Sequence, residues 1–304
     1  MEQRLTIFTL AMVALVGLLW GLNWPAVKFM LREVPPFTLR AAGFTGGALV
    51  LLSLVKGLGH RLRPAPGEAM HILAAGLFVI FGFNIATALG QQLTEASRAA
   101  IIAYTMPAIT AVLASIFLKE RLTWRRIMAV AIGMMGLAVL ASTDFAALIA
   151  APAGPLLMLA AALSWSIGNV LVQGRIWSLS PLALTFWFFV VSMVMAWPLA
   201  LWLEPYGTAA WPGRATWLVF AFHVAGPMAT CYFLWAVLLR RLPATVAAIS
   251  ILTAPTVGVL SAILLLSEPV SWQKIVALVL IVLSIGITLT ARATDVAPPV
   301  PKGA

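Results

Sequence analysis

Apolar residues gather along the chain into ten runs, each near the length of about 20 residues that crosses a bilayer as a helix. Cutting at charges, prolines and polar clusters predicts helices over 6–29, 37–58, 70–92, 96–117, 123–142, 155–174, 181–203, 215–239, 243–266 and 272–291. The longest breaks, 59–69 and 204–213, contain Pro and Gly and leave no room for a soluble domain. The expected fold is an all-α integral membrane protein of ten transmembrane helices. The tail 293–304, rich in Pro and small residues, is expected to be disordered.

Polar residues recur inside these runs at helical spacing. Asn84, Thr87 and Gln91 form one stripe, Ser166, Asn169 and Gln173 a second, and His223, Pro227 and Thr230 a third. Polar side chains in hydrocarbon need partners, so each stripe lines a water-filled cavity or bonds one helix to another. His223 is either a titrating group or a satisfied structural histidine. Lys28 shares a face with Gly21 and Trp24 and reads in two ways. It greets a substrate carboxylate at the outer end of a cavity, or it snorkels to the headgroups.

The chain also repeats itself. Trp20-Gly-Leu-Asn23 with Pro36 recurs as Trp165-Ser-Ile-Gly168 with Pro181 at an offset of 145. Ala99-Ala100, Thr105, Pro107, Glu120 and Trp124 recur as Ala247-Ala248, Thr253, Pro255, Glu268 and Trp272 at an offset of 148. The halves are 1–142 and 155–292, joined by 143–154. Five helices per half is an odd number, so the second half enters the membrane from the opposite side. Such inverted repeats place a substrate site near the midplane and permit alternating access. Pro25, Pro107, Pro227 and Pro255 interrupt helices and are candidate hinges.

Composition supports the membrane assignment, with 62% hydrophobic and 9% charged residues. The net charge of +10 does not make a nucleic-acid binder, because the basic residues sit in short loops. Thirteen Lys and Arg fall on one side; six (Lys28, Arg32, Arg40, Arg98, Arg214 and Lys274) fall on the other. That bias puts both termini in the cytoplasm. The first apolar run is read as a retained helix rather than a signal peptide. One cysteine, Cys231, and three histidines without metal-ligand spacing predict no metal, cofactor or redox chemistry. Trp124, Trp211, Trp217 and Trp272 fall at helix ends as an aromatic belt. Glu120 and Glu268 precede the N-cap residues Thr123 and Ser271 and read as structural. No Asp or Glu falls near the middle of a predicted helix, so a carboxylate proton relay is not expected.

The stretch Trp20-Gly-Leu-Asn-Trp-Pro-Ala-Val-Lys28 with Pro36, and the paired segments Pro107 to Trp124 and Pro255 to Trp272, resemble the two EamA repeats of the drug/metabolite transporter superfamily. The resemblance covers 6–291 and is nearest to the YddG group of aromatic amino acid exporters. It implies a central cavity and export of aromatic and other apolar amino acids. The residues assigned to that cavity are Trp20, Asn23, Trp24, Lys28 and Phe83, then Asn84, Thr87, Gln91 and Tyr104. Trp165, Asn169, His223, Thr230 and Thr253 complete the set from the second half. Trp187 and Trp235 are further aromatic candidates. The expected partners are a small-molecule amino acid and the lipid bilayer, and the oligomeric state is open, with a monomer sufficient. An exporter of drugs or quaternary cations, held by cation–π contacts, is the alternative, but it calls for a midplane carboxylate. A membrane-embedded enzyme is a third class, and no nucleophile–base pair, acid pair or metal triad appears.

Overall fold

A computed structural model describes residues 7–120, 122–142, 151–204, 211–242, 247 and 253–289. The expected tail 293–304, most of the 143–154 connection and the start of the ninth segment lie outside the described residues. Every regular element among the described residues is helical. They are α1 (Ile7–Met30), α2 (Pro36–Gly57), α3 (Ala69–Leu93), α4 (Ala96–Phe117), α5 (Trp124–Ala141), α6 (Ala153–Gln173), α7 (Pro181–Leu203), α8 (Arg214–Arg241), α9 (Thr253–Leu266) and α10 (Trp272–Leu289). Seven of these (α1 from Phe8, α2, α3, α4, α6, α7 and α8) are long and apolar enough to cross a membrane. Their outward faces carry exposed Leu18, Leu49, Ile116 and Leu201, as does α9 with Leu264, in keeping with a surface that meets lipid.

Three helices depart from regular geometry near the centre. α3 widens into a π-turn over Leu77–Gly82, and α8 does so over Val224–Cys231. In α3 the Ser164 hydroxyl of α6 enters the turn and donates to the Phe78 carbonyl at 2.7 Å. A side chain inserted into the hydrogen-bond ladder is a common cause of such widening. α4 breaks at Tyr104 and Thr105, and Pro107 then sits in the first turn of its second segment, where a missing N–H costs no helical bond. Pro25, in contrast, lies inside a continuous α1. It frees the Gly21 carbonyl, which faces Gly258 of α9.

The helix contacts form a pattern. α1 packs on α8 and α9, while α6 packs on α3 and α4; α2 touches α3, α7 and α8, while α7 touches α8, α2 and α3; α5 pairs with α10, and α4 with α9. Small residues allow the closest of these. A Cβ on Gly21 would lie 2.5 Å from the Val257 Cβ and 2.8 Å from the Ala254 carbonyl oxygen, and one on Gly168 would lie 2.5 Å from the Val79 nitrogen. Such tight approach is how membrane helices gain van der Waals contact without a hydrophobic driving force.

Carboxylates close the helix ends. All six described acidic residues (Glu33, Glu68, Glu95, Glu120, Glu204 and Glu268) lie between helices. Glu204, after α7, accepts from Phe37 N at 2.6 Å and Thr38 N at 2.7 Å, both in the first turn of α2. Glu268 accepts from Ala96 N at 2.8 Å and Ser97 N at 3.2 Å at the start of α4, and pairs with Lys274 at 3.6 Å. Glu33 accepts from Gly213 N and the Thr216 hydroxyl, each at 2.8 Å, where α8 begins. Glu68 accepts from Ser178 N at 2.7 Å, the Ser178 hydroxyl at 2.6 Å and Ala65 N at 3.0 Å. These are the orphan N–H groups of helix starts and connections, and the negative charge also suits a helix N-terminus. Burial alone would raise the Glu68 carboxyl, but the bonds from Ser178 and Ala65 and the charge of Arg175 hold it below the usual carboxylate range. The Gly213 N–H and the Thr216 hydroxyl do the same for Glu33. As expected, Thr123 and Ser271 cap α5 and α10, accepting from Arg126 N at 3.4 Å and Lys274 N at 3.3 Å, and Glu120 pairs with Arg126 at 3.7 Å.

Candidate functional site

The α4 break and the wide turn of α8 contribute to the lining of a cavity that is partly open to solvent. α1 contributes Trp20, Asn23 and Trp24; α2 contributes Arg40; α3 contributes Phe83, Asn84, Thr87 and Gln91; Tyr104 and Met106 come from the α4 break; α6 supplies Trp165, and α8 supplies Met228 and Tyr232.

One wall is aromatic. Trp20 meets Trp165 edge-on with ring centroids 5.3 Å apart, and Tyr232 stands 5.3 Å from Trp20 and 5.8 Å from Trp165. Phe83 lies 5.0 Å from Trp165, and Trp235 backs both tryptophans at 5.6 and 5.8 Å. Offset and edge-on pairs of this kind favour each other beyond their apolar area. The Trp20 indole N–H donates to the Pro227 carbonyl at 3.1 Å, which ties α1 to the wide turn of α8.

The rest of the lining is polar and joins the aromatic groups at Tyr232. Asn84 donates to the Ile80 carbonyl at 2.8 Å and to the Tyr232 hydroxyl at 2.6 Å. Thr87 donates to the Asn84 carbonyl at 2.9 Å and accepts from Arg40 Nη2 at 3.1 Å. Arg40 is 2% exposed, Gln91 1% and Trp165 2%. Arg40 Nε and Nη1, Gln91 Oε1 and Trp165 Nε1 have no hydrogen-bond partner among the described residues.

Nine of the fourteen side chains assigned from sequence thus converge on the cavity: Trp20, Asn23, Trp24, Phe83, Asn84, Thr87, Gln91, Tyr104 and Trp165. Five lie elsewhere. Lys28 donates to the Gln91 carbonyl and, at 2.8 Å, to the Thr94 carbonyl, so its ammonium caps the C-terminal end of α3. Asn169 accepts from the Trp235 indole at 2.9 Å and, with Ser166 and Gln173, bonds α6 to its neighbours. His223 packs on Asn23, its Nδ1 2.6 Å from the Asn23 Oδ1. Thr230 donates back to the Ala225 carbonyl across the π-turn at 2.8 Å. Thr253 packs on Gly17 of α1. Of the further aromatic candidates, Trp235 is buried behind the wall, and Trp187 donates to the Leu62 carbonyl at 2.7 Å.

Four lining residues were not assigned from sequence: Arg40, Met106, Met228 and Tyr232. Arg40 stands as a loop charge in the charge count, and the structure corrects this by burying it near the start of α2. The one sequence signal for it is a cation that falls inside the predicted run 37–58.

One protein-family model, described as the EamA-like transporter family, matches the chain twice, over residues 7–142 and 152–290. An uncharacterized transporter, YoaV of Bacillus subtilis, is 23% identical over 88% of this chain and 91% of its own length. A probable amino-acid metabolite efflux pump of Salmonella typhimurium is 26% identical over 88% of this chain and 90% of its own. An S-adenosylmethionine uptake transporter of Rickettsia felis is 26% identical over 59% of this chain and 60% of its own. A crystal structure 21% identical in sequence shares the fold at a TM-score of 0.72, covering 91% of this chain and 94% of the other. With its multiple membrane-crossing helices and two matches that together span nearly the whole sequence, the chain is a multi-pass membrane transporter and belongs to the EamA-like transporter family.

Proposed function

We propose that the protein exports aromatic and other apolar amino acids across a bacterial inner membrane, taking them through the central cavity by alternating access. The observation that carries this reading is the cavity itself, lined by indole and phenol rings together with amide, hydroxyl and guanidinium groups. That pairing suits a molecule with a large apolar group at one end and a charged head at the other. Among the relatives, one named as a probable amino-acid metabolite efflux pump aligns over most of its length and supports both cargo and direction. The YddG-like subgroup is the specific form of this proposal.

The proposed frame is ten transmembrane helices in two inverted five-helix halves, 1–142 and 155–292, with both termini cytoplasmic. Exchanging α1–α5 for α6–α10 carries the helix contacts onto themselves, places the two π-turns at matching positions, and pairs Lys119 with Ser267, both at positive φ (56° and 54°). The family model's double match is in keeping with that frame. Pro25, Pro107, Pro227 and Pro255 are the proposed hinges. No described carboxylate lies within a helix, so the carrier is proposed to work without a carboxylate proton relay. The drug or quaternary-cation reading loses ground because the cavity holds a buried cation of its own, Arg40.

Purified protein in proteoliposomes tests this. Phenylalanine and tryptophan are expected to exchange across the bilayer faster than threonine and far faster than tetramethylammonium. Imposing a pH gradient should not drive accumulation. An absence of flux for every amino acid sinks the proposal, and gradient-driven accumulation overturns the uncoupled mechanism.

A further inference from the structure

Resting on that transport reading, we propose that Arg40 is the receptor for the carboxylate of the transported molecule, so that the cargo class is small monocarboxylates, zwitterionic amino acids included. A guanidinium stays charged under all ordinary conditions. Burying one without a counter-charge is costly, and proteins keep such a group where something compensates it. Here the protein compensates little. Among the described residues Arg40 donates once, from Nη2 to the Thr87 hydroxyl at 3.1 Å, while Nε and Nη1 have no partner. No Asp or Glu among the described residues forms an ion pair with it. The described carboxylates are engaged at helix ends by backbone amides, Lys274 or Arg126. An anion entering the cavity is therefore the compensating partner that the fold leaves room for.

The surroundings select the kind of anion. A single guanidinium, bonded to the neutral Thr87 in a cavity that neutral Asn84 and Trp165 also line, balances one negative charge and not the two of a phosphate monoester. The Trp165 indole N–H, buried and unpartnered, is a second donor on the same cavity. Gln91 Oε1, equally unpartnered, is an acceptor that matches an ammonium group, so an amino acid meets both of its charges there. Lys28, the cation that sequence position favours for this task, is held by the Gln91 and Thr94 carbonyls instead.

Matched acid and amide pairs test the assignment: L-phenylalanine with L-phenylalaninamide, 3-phenylpropionate with 3-phenylpropionamide, and phenyl phosphate as the dianion. Affinity is read from the ligand-induced rise in the thermal unfolding midpoint of detergent-purified protein, and flux from proteoliposomes. Acids are expected to bind at least tenfold tighter than their amides and tighter than phenyl phosphate. Arg40→Met should abolish that preference without lowering the ligand-free midpoint, and Arg40→Lys should retain part of it. Equal affinity for acid and amide, survival of the preference in Arg40→Met, or tighter binding of phenyl phosphate overturns the assignment. If Arg40→Met fails to fold, the wild-type acid and amide comparison decides alone. Flux without acid preference removes this assignment and leaves the transport reading standing, whereas no flux of any compound removes both.

Discussion

Glu68 shows how much one carboxylate can hold in a protein with few charges. Two of its three hydrogen bonds, both from Ser178, fasten the connection before α3 to the connection before α7, and the third, from Ala65 N, ties its own connection together. Hydrogen bonds to a charged partner are worth about 1.5–3 kcal/mol when buried, and a neutral amide keeps only part of that. Glu68→Gln is therefore expected to cost about 1–2 kcal/mol, read as a lower thermal unfolding midpoint in detergent at pH 7. The native carboxyl lies below its ordinary value of 4.5. Its contribution is fully present above pH 4.5 and is lost as pH falls through the native value. Wild-type stability should then drop on acidification through that range more steeply than that of Glu68→Gln, and parallel curves would contradict the role. Arg40 teaches a different lesson at the same scale. A cation four residues past Pro36 reads as a loop charge because hydropathy ranks residues one at a time, and only the packing of α3 and α8 over that helix end shows it to be enclosed.

At the scale of elements, the helices were legible because the bilayer imposes length and apolarity on each run, and nearly every predicted segment has its helix. Faces were legible only where helices stay regular. On α3 the stripe Asn84, Thr87 and Gln91 lies beyond the π-turn and keeps its spacing, so all three share the cavity. On α8 the stripe His223, Pro227 and Thr230 straddles the π-turn. An extra residue per turn rotates the downstream part of the helix by about 100°, which turns Met228 and Tyr232 to the cavity and leaves Thr230 bonded to its own backbone. Glycine contacts give the element scale its own test. Gly168→Ala drives a methyl into the Val79 backbone within α3, and Gly21→Ala drives one into Val257 and the Ala254 carbonyl of α9. Each is expected to lower stability by about 1–3 kcal/mol in thermal unfolding. Gly57→Ala, whose added Cβ meets nothing within 4 Å, should be near neutral. Equal effects at all three sites would mean that these interfaces yield easily.

For the whole molecule, the cavity draws its walls from both segments that match the family model, Trp20 and Arg40 from the first, Trp165 and Tyr232 from the second. The carboxylate ties cross the same divide. Glu204 and Glu268 of the second segment close the starts of α2 and α4 in the first, while Glu33 and Glu68 of the first reach Gly213 and Ser178 of the second. This has a consequence for biogenesis. The residue that will satisfy the leading amides of α2 lies 166 positions beyond Thr38, so it is made long after that helix has left the ribosome. The first half must wait in the bilayer with the starts of α2 and α4 open until the second arrives, which exposes it to quality-control proteases. A chain ending at residue 142 should be degraded when expressed alone and rescued when a second polypeptide carrying 143–304 is co-expressed, as pulse-chase labelling would reveal. Independent persistence of the first half would show that the ties form late and are dispensable for survival in the cell.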